Sequence, residues 1–297
     1  MNLAELDTES RNPRSERLDT MSTAEVLALM NDEDRLVSDA IALVLDQVAQ
    51  AVELVAASLH AGGRLIYLGA GTSGRLGLLD AVECPPTFST DPGQVVAMLA
   101  GGDMAFVRAV EGAEDDPEAA ARQVDAHRIG ARDTVVGIAA SGRTPYVVGG
   151  LRRAHQLGAS TVALACNAAA LISQEADVAI EVLTGPEVLT GSTRLKAGTA
   201  QKMVCNMIST AAMVRIGKTY GNLMVDLRPT NAKLVDRARR IVAAAADVDE
   251  ATAARALTTA DGRAKVAIVM LLAAADAPTA ARLLDNAAGV VSNAVAH

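Results

Sequence analysis

A glycine-rich turn and a carboxylate lie in one stretch of the chain, from Leu68 to Pro86, which reads LGAGTSGRLGLLDAVECPP. The turn has the pattern GxGxxG between a short apolar run and a helical pattern, and such turns bind phosphate through N–H groups at the start of a helix. Glu83 stands about three helical turns further on, directly before a Cys-Pro-Pro sequence. The stretch therefore combines a candidate phosphate-binding turn with a candidate general acid or base.

The same GxGxxG pattern is the fingerprint of dinucleotide-binding folds. In those folds an acidic residue at the end of the second strand, about 20 residues later, binds a ribose hydroxyl. Here the second strand-like run, VVAMLA, is followed by Gly101 and Gly102, and the first acid after it is Asp103. The sequence therefore argues against a nicotinamide cofactor.

A turn similar to the glycine-rich turn recurs further along the chain. The first apolar run leads into residues 72–75 (TSGR), the third leads into residues 141–145 (SGRTP), and a third hydroxyl-rich turn, residues 190–194 (TGSTR), precedes a long helical pattern. Serines in such turns can be simple N-caps. Because the turn is repeated, and because hydroxyls and N–H groups bind phosphate without net positive charge, we expect a phosphate site made by Thr72, Ser73, Ser141 and Ser192.

Five short apolar runs separated by helical stretches must position these turns. They cover residues 64–69, 95–100, 134–140, 161–166 and 178–183. Strands that alternate with helices predict an α/β fold with a parallel sheet covered on both faces. Ligands of such sheets bind outside the carboxyl ends of the strands, so the hydroxyl-rich turns are expected at one edge.

The rest of the chain is predicted to be helical. Residues 1–22 resemble an arm or loop, residues 23–60 contain one or two helices that end at Gly62-Gly63, and a long helix covers about 195–218. An Ala-rich stretch follows, with turns near Asp247, Asp261-Gly262 and Ala277-Pro278. We therefore divide the chain into an N-terminal arm with helices packed on the sheet domain (1–60), the α/β domain (61–230) and a small helical module (231–297).

Composition and charge exclude several classes of protein. A net charge of −8 and a pI near 5.1 argue against a nucleic-acid surface, which needs a clustered basic face. The start of the chain lacks the features of a secretory signal, and the longest apolar run, residues 266–275, is shorter than the roughly 20 residues that span a bilayer. We expect a cytoplasmic protein whose three separated cysteines are buried thiols.

Several long motifs resemble those of one protein family. They are TESRNPRSERLDTMST, NDEDR, GGRLIYLGAGTSGRLGLLDAVECPPTF, AVEGAED, VVGIAASGRTPYV, TGSTRLKAGTAQKMV and GNLMVDLRPTN. The pair of SGR turns resembles the sugar isomerase (SIS) fold, whose members bind phosphosugars. The complete set is similar to the N-acetylmuramic acid 6-phosphate etherases, and it covers nearly the whole chain.

The resemblance implies an activity and a set of partners. The family cleaves the D-lactyl ether of N-acetylmuramic acid 6-phosphate, consumes water, and releases N-acetylglucosamine 6-phosphate and D-lactate in the recycling of cell-wall sugars. It implies no metal and no organic cofactor, and a homodimer with sites near the subunit interface. Its Ala-rich end forms a three-helix module similar to a ubiquitin-associated domain.

The resemblance also assigns Glu83 and Glu114 as the catalytic pair. Pro85 is expected to end the preceding helix at Cys84, and the dipole at a helix C-terminus disfavours an ionised Glu83, which suits a proton donor.

Asp116-Pro117 has the form of an N-cap followed by a first helical residue. Glu114 then lies at a helix N-terminus, which favours the ionised form and suits a base. Glu111 is a rival in the same stretch, and the family pattern favours Glu114.

Two other functions use the same fold. An aldose–ketose isomerase also removes a proton from carbon 2 of a phosphosugar but releases no lactate. A phosphosugar-sensing regulator binds without turnover and needs no paired acids, so the ECPP and EGAED stretches argue against it.

Overall fold

The structure, a computed structural model, describes residues 6–108, 110–227 and 232–296. The chain forms two compact units, one made of Met1–Val82 and Gly93–Ser209 and the other of Glu83–Pro92 and Thr210–His297. The three-part division expected from the sequence stays a prediction, and its boundary at 230/231 lies outside the described residues.

A five-stranded parallel sheet forms the centre of the first unit. Its strands are β1 (Leu65–Gly69), β2 (Val95–Leu99), β3 (Thr134–Ile138), β4 (Ser160–Ala165) and β5 (Val178–Glu181). Their order in the sheet is β2-β1-β3-β4-β5, and Leu65 at the start of β1 pairs with both Val95 and Thr134. The central strands are fully buried, as expected for strands covered on both faces. The predicted α/β fold with a parallel sheet is confirmed.

Within residues 6–108 and 110–227, six longer helices accompany the sheet. They are α1 (Thr23–Ala42), α2 (Leu45–His60), α3 (Gly71–Phe88), α4 (Pro117–Ala126), α5 (Pro145–Gln156) and α6 (Lys196–Arg215). Of the one or two helices predicted over 23–60, the structure forms two, and a capping box between Ser22 and Glu25 begins the first of them. Helices α3 and α6 each continue past the boundary between the two units.

The segment before α1 is more ordered than the expected arm or loop. It forms three short 3-10 turns, and Thr8 is fully buried. Asn167 accepts a hydrogen bond from the Thr8 backbone N–H over 3.3 Å and donates one to the Thr8 hydroxyl over 2.9 Å. These bonds join the N-terminal segment to the loop after β4.

The expected end of α3 at Cys84 is wrong. Pro85 and Pro86 lie inside the helix, which continues to Phe88. Each proline lacks the N–H that would donate to the carbonyl oxygen four residues earlier, so the helix loses the bonds to the Ala81 and Val82 carbonyl oxygens. Burial of Cys84 and Phe88, four residues apart, favours the helical form.

The second unit is helical apart from a short hairpin, Thr219–Tyr220 with Leu223–Met224. After the hairpin come α7 (Ala232–Ala246), α8 (Glu250–Thr259), α9 (Ala264–Leu272), α10 (Ala277–Asn286) and α11 (Val291–Ala294). The short helix α9 packs against both α8 and α10. Asp247 and Asp261 have positive φ angles and lie in the turns predicted at these positions.

No single helix within the described residues is long and apolar enough to cross a membrane. Two bent helix pairs, α1 with α2 and α9 with α10, meet the same criterion by length and composition when each pair is taken together.

Candidate functional site

The turn after β1 leads directly into the first residues of α3. Thr72 and Ser73 therefore lie in the first helical turn, where backbone N–H groups lack partners within the helix. The turn is tight, because a side chain on Gly74 would come within 2.6 Å of the Gly69 carbonyl oxygen. The glycines of GxGxxG thus bring the helix N-terminus close to the strand end.

The second SGR turn follows β3, the neighbour of β1 in the sheet. Gly142 has a φ of +69°, and a side chain there would come 2.4 Å from the Ala170 Cβ atom. The Ser141 hydroxyl accepts a hydrogen bond from the Arg143 backbone N–H over 3.2 Å. Because β1 and β3 are parallel neighbours, Ser141 lies at the same edge of the sheet as Thr72 and Ser73.

The first turn of α3 also contacts α6. The Ser73 hydroxyl donates a hydrogen bond to Gln201 Oε1 over 2.9 Å, and both side chains are buried. The Nε2 atom of Gln201 is buried, and no hydrogen-bond partner for it occurs in the part of the chain that the structure describes. A side chain on Gly198 would lie 3.7 Å from the Thr72 Cγ2 atom, so the start of α6 is close to Thr72 as well.

Ser192 lies four residues before α6, in the third hydroxyl-rich turn, and is partly buried. The N-terminus of α6 already holds an anion from the protein itself. The fully buried Glu187 carboxylate accepts hydrogen bonds from the backbone N–H groups of Lys196 and Ala197, both over 3.0 Å. Any contribution of this turn to a ligand must therefore come from groups of the turn itself, such as the Ser192 hydroxyl, rather than from the Lys196 and Ala197 N–H groups of α6.

A cavity of about 290 Å³ opens at the carboxyl ends of β1 and β2. Glu111 and Glu114 both line it, together with Arg75 of α3. The structure thus brings Glu114 and its rival Glu111 to the N-terminal turn of α3, where Thr72 and Ser73 also lie. The remaining lining residues are Ala70, Gly71, Ala100, Ala105, Val110, Gly112 and Ala113.

Glu114 lies where the sequence predicted, in a short 3-10 turn directly before α4. Asp116 caps α4 by accepting a hydrogen bond from the Ala119 backbone N–H, and Pro117 is the first helical residue. Glu114 is exposed, so its carboxylate is accessible to a ligand.

Glu83 lies in α3, five residues before the end of that helix, and is exposed. It belongs to the second unit, whereas Glu114 belongs to the first. The expected position of Glu83 at a helix end is corrected accordingly, and its catalytic role stays a prediction.

A buried charge network that the sequence reasoning missed lies near the start of α6. Lys196 Nζ is 2.6 Å from Glu33 Oε2, and these side chains are only 3% and 5% exposed. Arg14 Nη1 lies 2.8 Å from Glu33 Oε1. Burial opposes the ionised form of Glu33, but the Lys196 and Arg14 hydrogen bonds and the Lys196 charge hold its pKa below its usual range. All three residues occur in the motifs of the family resemblance, which was the available signal.

The described residues contain no group of three or more His, Cys, Asp or Glu side chains that could hold a metal ion. The three cysteines, Cys84, Cys166 and Cys205, are buried thiols as expected. Burial raises the pKa of Cys166 to about 12, which keeps the thiol protonated and unreactive.

Two family models match the region described above. The N-terminal SIS domain of glucokinase regulatory protein matches residues 47–155, and the SIS domain matches residues 113–211. Together they cover the sheet and the hydroxyl-rich turns.

Curated relatives match over almost their whole length. An N-acetylmuramic acid 6-phosphate etherase from Mycolicibacterium smegmatis is 65% identical over 99% of this chain and 99% of its own. Another from Streptomyces coelicolor is 55% identical over 99% of this chain and 94% of its own. This chain belongs to the N-acetylmuramic acid 6-phosphate etherase family. The resemblance inferred from the motifs is confirmed.

Solved structures support the SIS fold of this etherase-family chain. A putative phosphosugar isomerase involved in capsule formation from Bacteroides fragilis covers 65% of the chain and 91% of its own, with a TM-score of 0.50 and 21% identity. A phosphoheptose isomerase from Francisella tularensis covers 64% of this chain and 100% of its own, with a TM-score of 0.50 and 19% identity. At these identities the similarity concerns the fold alone.

Proposed function

We propose that this chain cleaves the D-lactyl ether of N-acetylmuramic acid 6-phosphate to N-acetylglucosamine 6-phosphate and D-lactate. Full-length membership of the etherase family supports the reaction. The structural observation that carries the proposal is the cavity in which Glu114 lies beside the N-terminal turn of α3, at the carboxyl edge of the sheet.

The reaction needs a base, an acid and a phosphate-binding site. The ether oxygen is on carbon 3 of the sugar, beta to the aldehyde of the ring-opened form. Removal of the carbon 2 proton gives an enolate-like species, the carbon 3–oxygen bond then breaks, and lactate departs with its hydroxyl oxygen protonated by the acid. Water then adds to the unsaturated intermediate, with its hydroxyl going to carbon 3 and a proton returning to carbon 2. Each positioned acid–base group contributes about 10² to 10⁴ in rate.

We assign Glu114 as the base that acts on carbon 2 or on water, and Glu83 as the acid that protonates the departing lactyl oxygen. Thr72, Ser73, Ser141 and Ser192 hold the phosphate. The close approach of the α3 and α6 N-terminal turns and the neighbouring position of the Ser141 turn support one shared phosphate site.

We further propose that the protein is a cytoplasmic homodimer, that residues 61–230 carry the phosphosugar site, and that the Ala-rich residues 231–297 serve packing or subunit contact. The family resemblance supports the homodimer and the phosphosugar site, and the Ala-rich composition of residues 231–297 supports a packing role. Light scattering after size-exclusion chromatography tests the dimer, and a monomer mass at working concentration would contradict it.

The decisive experiment incubates the purified protein with N-acetylmuramic acid 6-phosphate and measures D-lactate. We expect one lactate for each N-acetylglucosamine 6-phosphate formed, and none from unphosphorylated N-acetylmuramic acid at the same concentration. Conversion of an aldose phosphate to a ketose phosphate without lactate would identify an isomerase instead. Tight phosphosugar binding without any turnover would identify a regulator.

A further inference from the structure

Arg75 is a cation in the cavity that holds Glu111 and Glu114. Its Nε atom donates to the Phe106 carbonyl oxygen over 3.0 Å, and its Nη2 atom donates to the Ala105 carbonyl oxygen over 2.8 Å. These two bonds fix the guanidinium on the loop after β2. They leave its charge in place, because carbonyl oxygens carry no full negative charge.

Arg75 keeps both charge and donors for a ligand. A guanidinium has five N–H donors, and the two carbonyl bonds use only part of them. Among the described residues neither glutamate of the cavity, nor any other acid, forms an ion pair with Arg75. The chain has a net charge of −8, so the overall field does not attract an anionic ligand, and such a ligand depends on local groups such as this cation.

The proposed substrate carries two anionic groups with different chemistry. The phosphate on carbon 6 is assigned to the hydroxyl-rich turns. The second anion is the carboxylate of the lactyl group, which is joined through oxygen to carbon 3, next to the carbon on which the base acts. A cation that binds this carboxylate must therefore share a cavity with the base, as Arg75 does with Glu114.

We infer that Arg75 binds the lactyl carboxylate and so distinguishes substrate from product. This inference rests on the proposed function. A guanidinium matches the two oxygens of a carboxylate with parallel N–H donors. N-acetylglucosamine 6-phosphate lacks the lactyl group, so Arg75 stabilises the bound substrate and contributes little to binding of the sugar product.

The test compares equilibrium binding of N-acetylmuramic acid 6-phosphate and N-acetylglucosamine 6-phosphate by calorimetry. Both ligands are titrated in a Glu114→Gln background, which keeps the substrate intact. Arg75→Met should weaken binding of the lactyl sugar by about ten- to a hundredfold, the range for a lost charge-assisted hydrogen bond. Binding of the product sugar should change less than about twofold. Arg75→Lys should recover part of the loss, because lysine keeps the positive charge but lacks the two parallel N–H donors of the guanidinium.

Arg132→Met is the matched control, since Arg132 is an exposed arginine in the turn before β3, at the opposite edge of the same sheet. It should leave both affinities unchanged. Equal weakening of the two ligands by Arg75→Met would overturn the inference and make Arg75 a loop anchor or a phosphate ligand. Unchanged affinities for both would overturn it as well.

The binding test and the lactate assay fail separately. If wild-type protein releases no lactate but Arg75→Met loses selectivity for the lactyl sugar, the proposed reaction is contradicted and the role of Arg75 is supported. If wild-type protein releases lactate and Arg75→Met keeps its selectivity, the reaction is supported and the role of Arg75 is contradicted.

Discussion

Ser73 donates its hydroxyl proton to Gln201 Oε1 over 2.9 Å, and the Gln201 Nε2 atom finds no partner among the described residues. The hydroxyl has one proton, so Ser73 cannot donate to a phosphate while it donates to Gln201. Rotation of the amide would place Nε2 against Ser73 and release that proton for the ligand. A glutamine can therefore either accept a hydrogen bond from the Ser73 hydroxyl or donate one to it, whereas a glutamate can only accept.

Ser73→Ala combined with Ser141→Ala should raise the Michaelis constant strongly with a smaller effect on the turnover number. Each hydroxyl lost from a charged phosphate costs about 1.5 to 3 kcal/mol. Steady-state lactate release measures both constants. Ser38→Ala, which alters an exposed serine of α1, is the control and should behave as wild type. Unchanged phosphosugar binding in the double variant would remove both serines from the phosphate site.

Gln201→Glu should weaken phosphosugar binding more than Gln201→Met. The glutamate keeps the Ser73 hydroxyl donating to the carboxylate instead of to the phosphate, and it adds a negative charge close to the phosphate. Methionine adds no charge and accepts no strong hydrogen bond. Calorimetric titration with N-acetylglucosamine 6-phosphate measures the difference, and a urea melt checks that each variant is folded. Equal affinities in the two variants would show that only the shape of the Gln201 side chain matters.

Lys196→Met should destabilise the protein by about 3–5 kcal/mol, because it leaves the buried Glu33 carboxylate without its closest cation. Adding Glu33→Gln should recover part of that loss. Urea unfolding measures the free energy of unfolding of each variant. Arg35→Met, which breaks an exposed ion pair with Asp32, should cost no more than about 1 kcal/mol. A similar small cost for Lys196→Met would contradict the proposed strength of the buried pair.

Asp80 gives the stability a dependence on pH. It accepts hydrogen bonds from Tyr67, Asn206 and Ser209, but burial outweighs them and raises the pKa of Asp80 above its ordinary value of 3.8. Between the unfolded and folded pKa values the folded protein binds more protons. The contribution of Asp80 to the free energy of unfolding therefore falls as pH rises above about 3.8 through that interval.

Urea unfolding of wild type and Asp80→Asn over this pH range tests the sign. The stability of wild type relative to Asp80→Asn should decrease with rising pH and level off once the folded protein is ionised at Asp80. Asp39→Asn, at an exposed position of α1, controls for the general change in charge. A relative stability that increases with pH would contradict a raised pKa.

Much of this fold is local in the sequence, and that part was predictable. The strands are short apolar runs between turn residues. The helix caps Ser22 and Asp116 each accept a hydrogen bond from a backbone N–H only three residues further along the chain. The continuation of α3 through Pro85 was not predictable from local rules. Those rules describe the steric preference before proline but not the burial of Cys84 and Phe88 that favours the helix.

The contacts that the sequence could not predict join distant positions. Ser73 and Gln201 are 128 residues apart, and Glu33 and Lys196 are 163 apart. No periodicity relates such pairs, because their contact depends on how helices pack on the sheet. The motifs contained all four residues, but the sequence alone assigned a role only to Ser73.

The two proposed catalytic carboxylates differ in setting. Glu114 lies in a 3-10 turn directly before the N-terminus of α4. Glu83 is exposed within α3, so its role as the acid rests on the family resemblance. Replacement of either by glutamine keeps the size of the side chain and removes its ability to transfer a proton.

Glu114→Gln should abolish exchange of the carbon 2 proton with solvent, whereas Glu83→Gln should retain that exchange and lose lactate release by about 10² or more. Deuterium uptake from heavy water into carbon 2, followed by NMR, separates the two steps. Glu111→Gln, which alters the other acid of the same cavity, is the matched control and should keep both activities. The opposite pattern in the two variants would exchange their roles, and full lactate release in Glu83→Gln would remove Glu83 from catalysis.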